Sequence, residues 1–284
     1  MTVADPTSVV DKLRRWFADS GYPLEMRVAA LVSKHGFAAY QSEHYRDPDR
    51  REIREIDVVA MDALGVDGGK LKLTLAIECK TSRDKPWLVL CSAQTDNDGP
   101  THVEDRAASK AGIEFLKRIS SREEIQNLTV FRANPRNGYS VVRAFGDGPD
   151  VPYAAMMSAT KAARALADEA THVRAGYVVA EIVLPIVVVD GLLFEAHLTP
   201  DGETSVSPTI HELVYWRNPI AGRTHSVVRV MCIEALPSFL NEVRVAFDKL
   251  ATDCRDELAC RNRYHKVQQG IRGARATLSS RGHR

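Results

Sequence analysis

Residues 71–80, LKLTLAIECK, alternate apolar side chains with polar or small ones, which is the pattern of a β-strand. The odd positions from Leu71 to Cys79 share one face, and their apolar character predicts that this face lies in the core. The opposite face ends in Glu78 and Lys80, so these two side chains project together from one surface. A solvated ion pair is one interpretation of the doublet, and such a pair contributes little stability in water.

Two helices and a three-strand meander are predicted around this stretch from apolar periodicity and from turn residues. The predicted elements are helices at 8–21 and 23–36 and strands at 37–45, 52–61 and 71–80. Glu25 lies in the first turn of the second helix, beside its apolar stripe. Asp57 lies in the middle of the second strand, flanked by β-branched residues, which is an unusual setting for an acid in a plain strand.

The rest of the chain predicts an α/β protein with a central mixed sheet flanked by helices and with additional C-terminal strands. Helices are predicted at 103–120, 153–173 and 238–254, and strands at 180–191, 192–198, 211–218 and 225–236. We interpret residues 1–250 as one domain, in which 81–152 is an insertion. We interpret 251–284 as the end of a helix followed by a basic tail.

Composition limits the classes of protein that fit. The formal net charge is +1, so any surface for nucleic acid must be local. Five cysteines without regular spacing do not predict a disulfide framework. The N-terminal residues contain no long apolar run, and nothing approaches the length of a membrane span, so we expect a cytoplasmic protein without a membrane partner.

Asp57 and Glu78 are separated by one hairpin, so their strands are predicted to be antiparallel neighbours. In a suitable register Asp57, Glu78 and Lys80 converge on one patch, which Glu25 can reach from its helix. Clustered carboxylates repel one another and raise each other's pKa, and a hard divalent cation relieves that repulsion. Ligation by oxygen atoms suits Mg²⁺ or Mn²⁺. The competing interpretations are a salt-bridged sheet face and, for Glu25, a favourable charge at a helix start.

The order EID, hairpin, IECK resembles the D…(D/E)xK signature of the PD-(D/E)xK phosphodiesterases, the restriction-endonuclease-like superfamily. The resemblance makes Asp57 the first acid, Glu78 the second and Lys80 the lysine. Glu25 matches the glutamate that many members carry on a helix. The resemblance also implies that Asp57, Glu78 and the backbone carbonyl of Cys79 hold the metal ion, and that Lys80 assists the attacking water.

The same resemblance implies a restriction-endonuclease-like core, which is a helix, the meander, a further helix and a strand. It covers 21–95 well and 153–190 loosely. The sequence departs from the pattern at Ile56, where the family name has proline, and in the long stretch before the next core helix. The implied function is Mg²⁺-dependent cleavage of DNA in host defence or repair.

Two other functions share these residues. The fold can serve as a catalytically silent subunit that binds nucleic acid or protein in a defence complex, or the nuclease can act on RNA. Because such an enzyme must be kept from cleaving host DNA, we also expect a regulatory protein partner or a homo-oligomer.

Six further residues are weaker candidates for binding nucleic acid. Two follow the signature closely, one lies on a later helix that faces the site in some members of the family, and three belong to the basic tail. They are Ser82, Lys85, Lys161, Arg261, Arg263 and Lys266. The competing interpretations are a solvated loop for the first two and a disordered, solubilising end for the tail.

Overall fold

The structure, a computed structural model, describes residues 6–66, 69–92, 102–132, 135–146, 150–171, 178–217, 225–253 and 255. Within these residues the helices are α1 (Pro6–Asp19), α2 (Tyr22–Lys34), α3 (Lys110–Ile119), α4 (Glu123–Gln126), α5 (Val151–Thr171) and α6 (Leu236–Asp253). The strands are β1 (Ala38–Arg46), β2 (Ile53–Val66), β3 (Gly69–Cys91), β4 (Ala107–Ala108), β5 (Gly138–Arg143), β6 (Val178–Leu198), β7 (Thr204–Thr209), β8 (His211–Arg217) and β9 (His225–Cys232).

All nine strands join one mixed sheet in the order β1-β2-β3-β5-β8-β9-β6-β4, with β7 paired to β6. β3 also pairs directly with β6 in parallel, from Gly69 opposite Val178 to Leu90 opposite Ala196. The predicted α/β class and the large mixed sheet flanked by helices are therefore confirmed. The predicted antiparallel pairing of the second and third strands is also confirmed, because β2 pairs with β3 through residues such as Val58 and Ile77.

Helices cover both faces of this sheet. The odd-numbered residues of β3 from Leu71 to Cys79 pack in a core with residues of α2, α3 and α6, as the alternation predicts. On the other face, Ala76 packs with a row of alanines on α5, among them Ala162 and Ala163. Alanine side chains allow that helix to lie close to the strands, so both faces of the central strands are buried.

β3 is longer than the predicted strand, so Glu78 and Lys80 lie in its middle and not at its end. Between Ser82 and Trp87 its register to β6 shifts, because four β3 residues (83–86) lie opposite the single β6 residue 192. The excess of three residues is odd, so the alternation of faces inverts. Trp87 and Val89 consequently pack on the α5 face, in a cluster with Met156 of that helix.

Described parts of the proposed insertion, 81–152, join the same sheet and core. The second half of β3 and β5 pair with each other, and Phe115 of α3 is buried in the core under the central strands. Of the proposed tail, 251–284, the structure describes only 251–253 and Arg255, so its basic residues from Arg261 onward lie outside the described residues. The division into a domain and a tail remains a prediction.

Among the described residues, no helix combines the length and the apolar composition that crossing a bilayer requires.

Candidate active site

The paired backbones of β2 and β3 separate where the candidate acids begin. Their ladder runs from Val66 opposite Gly69 to Val58 opposite Ile77 and ends there. Beyond this point β2 remains paired with β1 as far as Ile53, whereas β3 remains paired with β6. We call this separation the fork. Asp57 and Glu78 are the next residues on its two sides, so continuing the register places them opposite one another.

Asp57 closes the first gap in the fork with its side chain. The backbone N–H of Cys79 donates to Asp57 Oδ2 at 2.7 Å, in place of a partner on β2. The N–H and C=O of one residue in an extended strand point to the same side. The carbonyl of Cys79 therefore faces the fork as well, on the side where Asp57 lies.

Glu78 and Lys80 lie side by side, as the alternation predicts. Lys80 Nζ donates to Glu78 Oε1 at 2.7 Å. Glu78 is only 8% exposed, and its second oxygen, Oε2, is buried and has no hydrogen-bond partner among the described residues. A buried carboxylate oxygen without a partner is costly. This atom requires a cation or a donor that the described residues do not supply.

Burial and mutual repulsion control the protonation of the acids. Burial, followed by the charge of Glu78, raises the pKa of Asp57 to about 7, although the Cys79 N–H and Lys80 oppose the shift. Burial and the neighbouring acids Glu55 and Glu78 raise the pKa of Glu25. Burial disfavours the charged form of Lys80, but the charge of Glu78 and its hydrogen bond raise the pKa of this amine above its usual value. The site therefore holds excess negative charge that it partly neutralises with protons.

Without metal, the stability of the protein should fall as the pH rises from 5 to 8. The folded protein holds the Asp57 proton up to about pH 7, whereas the unfolded chain loses it near the ordinary aspartate pKa of 3.8. The stabilisation is therefore complete below the unfolded pKa and is lost as the pH rises through 7. We expect a loss of roughly 1–2 kcal/mol, reduced from the full shift because the site keeps contact with water.

Urea unfolding at pH 5 and pH 8 in EDTA would measure this dependence. Asp57→Asn should flatten the curve, and Mg²⁺ should restore stability to the wild type at pH 8. A wild-type curve as flat as that of the variant would show that Asp57 titrates normally.

Two exposed arginines, Arg27 and Arg83, lie around Asp190 next to the fork, and we call this group the rim. The sequence patterns did not predict it. Asp190, at the β6 position opposite Thr81, accepts from Arg83 Nη2 at 2.6 Å and lies 3.7 Å from Arg27 Nη1 on α2. Both arginine side chains are more than half exposed. Asp190 follows the apolar run IVVV, which was a usable signal, but the pairing of β6 with β3 was not predicted.

Two of the weaker candidates follow the signature and contact each other. Ser82 is buried, and its hydroxyl donates to the carbonyl of Lys85 at 2.7 Å across the register shift. The Ser82 hydroxyl thus stabilises the bend in β3, and the role of both residues with nucleic acid stays a prediction. Arg261, Arg263 and Lys266 lie outside the described residues.

Lys161 lies in an ion-pair network with the turn after β1. Its Nζ lies 2.9 Å from Asp47 Oδ2 and 2.9 Å from Asp49 Oδ2, and the side chain of Asp47 is fully buried. Burial opposes ionisation of Asp47, but Lys161 and the backbone N–H groups of Asp49 and Arg50 hold its pKa at about 2. These contacts give Lys161 a structural role, and its predicted contact with nucleic acid remains untested.

Lys161→Met should destabilise the fold by about 3–5 kcal/mol, because it leaves the carboxylate of Asp47 buried without its main partner. The depressed pKa means that this stabilisation is present above about pH 4 and is lost as the pH falls towards 2. Chemical denaturation at pH 7 measures the loss. Lys117→Met, at an exposed position of α3, is the matched control and should change stability by less than about 0.5 kcal/mol. Equal effects of the two variants would contradict a structural ion pair.

No protein-family model matches this chain, and searches among curated proteins and solved structures gave no significant match.

Proposed function

We propose that this protein is a metal-dependent endonuclease that hydrolyses phosphodiester bonds of DNA, built on a restriction-endonuclease-like core. The observation that carries the proposal is the fork, where Asp57 and Glu78 face each other and Lys80 lies beside them. The buried, unpartnered Oε2 of Glu78 and the raised pKa of Asp57 are what a carboxylate pair shows when its cation is absent. The resemblance of the signature to PD-(D/E)xK enzymes supports the same function.

The residues at the fork fit a hard divalent cation. Two carboxylates and one backbone carbonyl provide the oxygen atoms that Mg²⁺ and Mn²⁺ prefer. In this proposal Asp57, Glu78 and the Cys79 carbonyl hold the ion. When bound, the ion supplies Lewis-acid stabilisation of the negative charge that develops on the phosphate.

The other side chains act on the water and on the substrate. The amine of Lys80 stays protonated next to Glu78, so it can position the attacking water and stabilise charge on the phosphate. Burial and the neighbouring acids raise the pKa of Glu25, and in this proposal its carboxyl exchanges a proton with the attacking water. The resemblance implies that the bond to the 3′ oxygen breaks and leaves a 5′ phosphate.

The rim argues for a polyanionic substrate. Arg27 and Arg83 keep their guanidinium groups exposed while Asp190 holds them beside Thr81, one residue past Lys80 on β3. Guanidinium groups in this arrangement suit phosphate oxygens, and the pairs with Asp190 are weak enough in water to exchange partners. A backbone phosphate beside the one being cleaved can therefore contact them.

Cleavage of supercoiled plasmid by purified protein tests the proposal. We expect nicking that requires Mg²⁺ or Mn²⁺ and that Asp57→Asn reduces by at least about 10²-fold. Asp201→Asn makes the same chemical change at an exposed position in the turn between β6 and β7, and it should cleave like the wild type.

Parallel reactions with single-stranded DNA, duplex DNA and RNA identify the substrate. Cleavage of RNA alone would replace DNA by RNA in the proposal. No cleavage with any metal or substrate, by a folded protein that binds nucleic acid, would favour a silent binding subunit. Measuring the molecular mass of the protein with and without DNA would test for a homo-oligomer that controls cleavage.

A further inference from the structure

A second cluster of metal-ligating side chains lies at the far end of β3. Cys91 is the last residue of that strand, eleven residues beyond Lys80. It follows Trp87 and Val89 on the α5 face, where both belong to a buried apolar cluster. Register brings the ends of β6 and β8 to the same place, since β3 pairs with β6 and, through β5, with β8.

Two carboxylates accompany this cysteine. Glu195 follows Leu193 on the inner face of β6, and Glu212 precedes Val214 on the inner face of β8. One ligand atom from each of Cys91, Glu195 and Glu212 lies within 4.8 Å of the others. Cys91 and Glu212 are buried, and the side chain of Glu195 is only 18% exposed. A thiol and two carboxylates thus converge in a site from which most water is excluded.

His197 adds an independent sign of a ligand. It lies two residues beyond Glu195 on the same strand face, and its side chain is 91% buried because only 9% of its surface is exposed. Its Nδ1 is buried and has no hydrogen-bond partner among the described residues. Nδ1 lies 3.8 Å from Oε1 of Glu195, a member of the cluster, and this distance is too long for a hydrogen bond. A cation between these atoms would satisfy both of them.

We propose that Cys91, Glu195, Glu212 and His197 bind one divalent cation of the zinc class, at a site separate from the fork. A thiolate, an imidazole and carboxylates are the donors that Zn²⁺ takes in proteins, whereas Mg²⁺ avoids sulfur. Four protein donors leave no open position, which is characteristic of a structural site and not of a catalytic one.

The neighbouring polar groups are compatible with a cation. Ser207 donates to Glu195 Oε1 at 3.1 Å, and Thr209 donates to Glu212 Oε1 at 2.9 Å, so each carboxylate is oriented by a hydroxyl. Arg136 Nη1 lies 3.7 Å from Glu195 Oε1. With Zn²⁺ bound to a thiolate, two carboxylates and a neutral imidazole, this arginine brings the local charge to zero. The bound ion would then join β3, β6 and β8 near the place where β5 and β8 pair through one residue pair, Gly138 and Val214.

Titration of EDTA-treated protein with Zn²⁺ and Co²⁺ tests this site. We expect one Zn²⁺ per chain and an increase in the unfolding temperature upon binding. Co²⁺ should give tetrahedral ligand-field bands together with thiolate-to-cobalt charge-transfer absorption. Cys91→Ser should abolish the charge-transfer band and weaken Zn²⁺ binding by more than about 100-fold, which is the upper range for loss of an outer partner alone.

Three further variants make the result specific. Cys232→Ser changes a buried cysteine of the same apolar cluster, and it should retain the cobalt spectrum of the wild type. Asp57→Asn, at the fork, should retain it as well, which separates this site from the proposed nuclease centre. Glu212→Gln keeps the shape of the side chain and should weaken binding, so the test does not depend on the folding of Cys91→Ser. Absence of a thiolate–cobalt band in the wild type, or the same band in Cys91→Ser, would overturn the proposal.

Discussion

Replacing Lys80 with methionine is expected to lower Mg²⁺-dependent DNA cleavage by roughly 10²–10³-fold, the range found when one charge-stabilising donor is removed from an active site. Methionine keeps the length of the side chain and removes its charge. The neighbouring carboxylate of Glu78 loses the hydrogen bond at 2.7 Å but remains in place at the fork. Binding of Mn²⁺, followed by the electron paramagnetic resonance of the free ion, should therefore persist while cleavage is lost.

A matched control is available in the same strand. Lys70 lies ten residues before Lys80 on the same face of β3, so Lys70→Met removes an equal charge away from the fork. It should cleave DNA like the wild type. Equal activity of the two variants would exclude the amine of Lys80 from the reaction, whereas loss of Mn²⁺ binding in Lys80→Met would indicate that it only supports the carboxylates.

Gly191→Ala is expected to destabilise the protein by about 1–3 kcal/mol and to reduce cleavage as well. Gly191 lies opposite Ser82, where β3 and β6 approach closely. A Cβ at this position would lie 2.3 Å from the carbonyl oxygen of Ser82 and 2.8 Å from its carbonyl carbon. Both atoms belong to the backbone, so β3 and β6 must separate at this point. Lys80 lies only two residues before Ser82 on β3, so the separation should also displace its amine. A shift of about 1 Å in a catalytic group can cost as much as 100-fold in rate.

Urea unfolding and plasmid cleavage measure the two effects. Gly65→Ala is the appropriate control, because a Cβ on this residue of β2 meets no atom within 4 Å. Its stability should remain within about 0.5 kcal/mol of the wild type. Gly191→Ala with wild-type stability and activity would show that β3 and β6 have more space between them than their backbones suggest.

Local patterns were sufficient to predict the core of the meander. The two-residue period of 71–80 correctly placed Leu71 and Cys79 in the core and Glu78 on the opposite face. A single hairpin connects the strand of Glu78 to the strand of Asp57, so the antiparallel pairing of β2 and β3 could also be predicted from nearby residues. These are interactions between residues about 20 positions apart, for which turn chemistry and alternation carry the information.

The remaining features depend on distant pairing. The residues RDKP at 83–86 are typical of a turn, yet β3 continues through them because β6 pairs with it on both sides of the shift. The rim formed with Asp190 and the cluster around Cys91 both require that parallel pairing across more than 100 residues. Spacing along the chain carries no signal for such contacts, since the register of two distant strands decides which side chains meet.

The fork also determines how the distance between the two acids is controlled. From the hairpin as far as Val58 and Ile77, ladder hydrogen bonds fix the distance between β2 and β3. Asp57 and Glu78 lie one residue beyond the last pair of that ladder. Within the described residues, the opening is spanned by a side-chain-to-backbone hydrogen bond, which the N–H of Cys79 donates to Asp57. The carboxylates can therefore adjust to the radius of the ion between them, so the protein should accept ions of somewhat different size and use charge and coordination chemistry to choose among them.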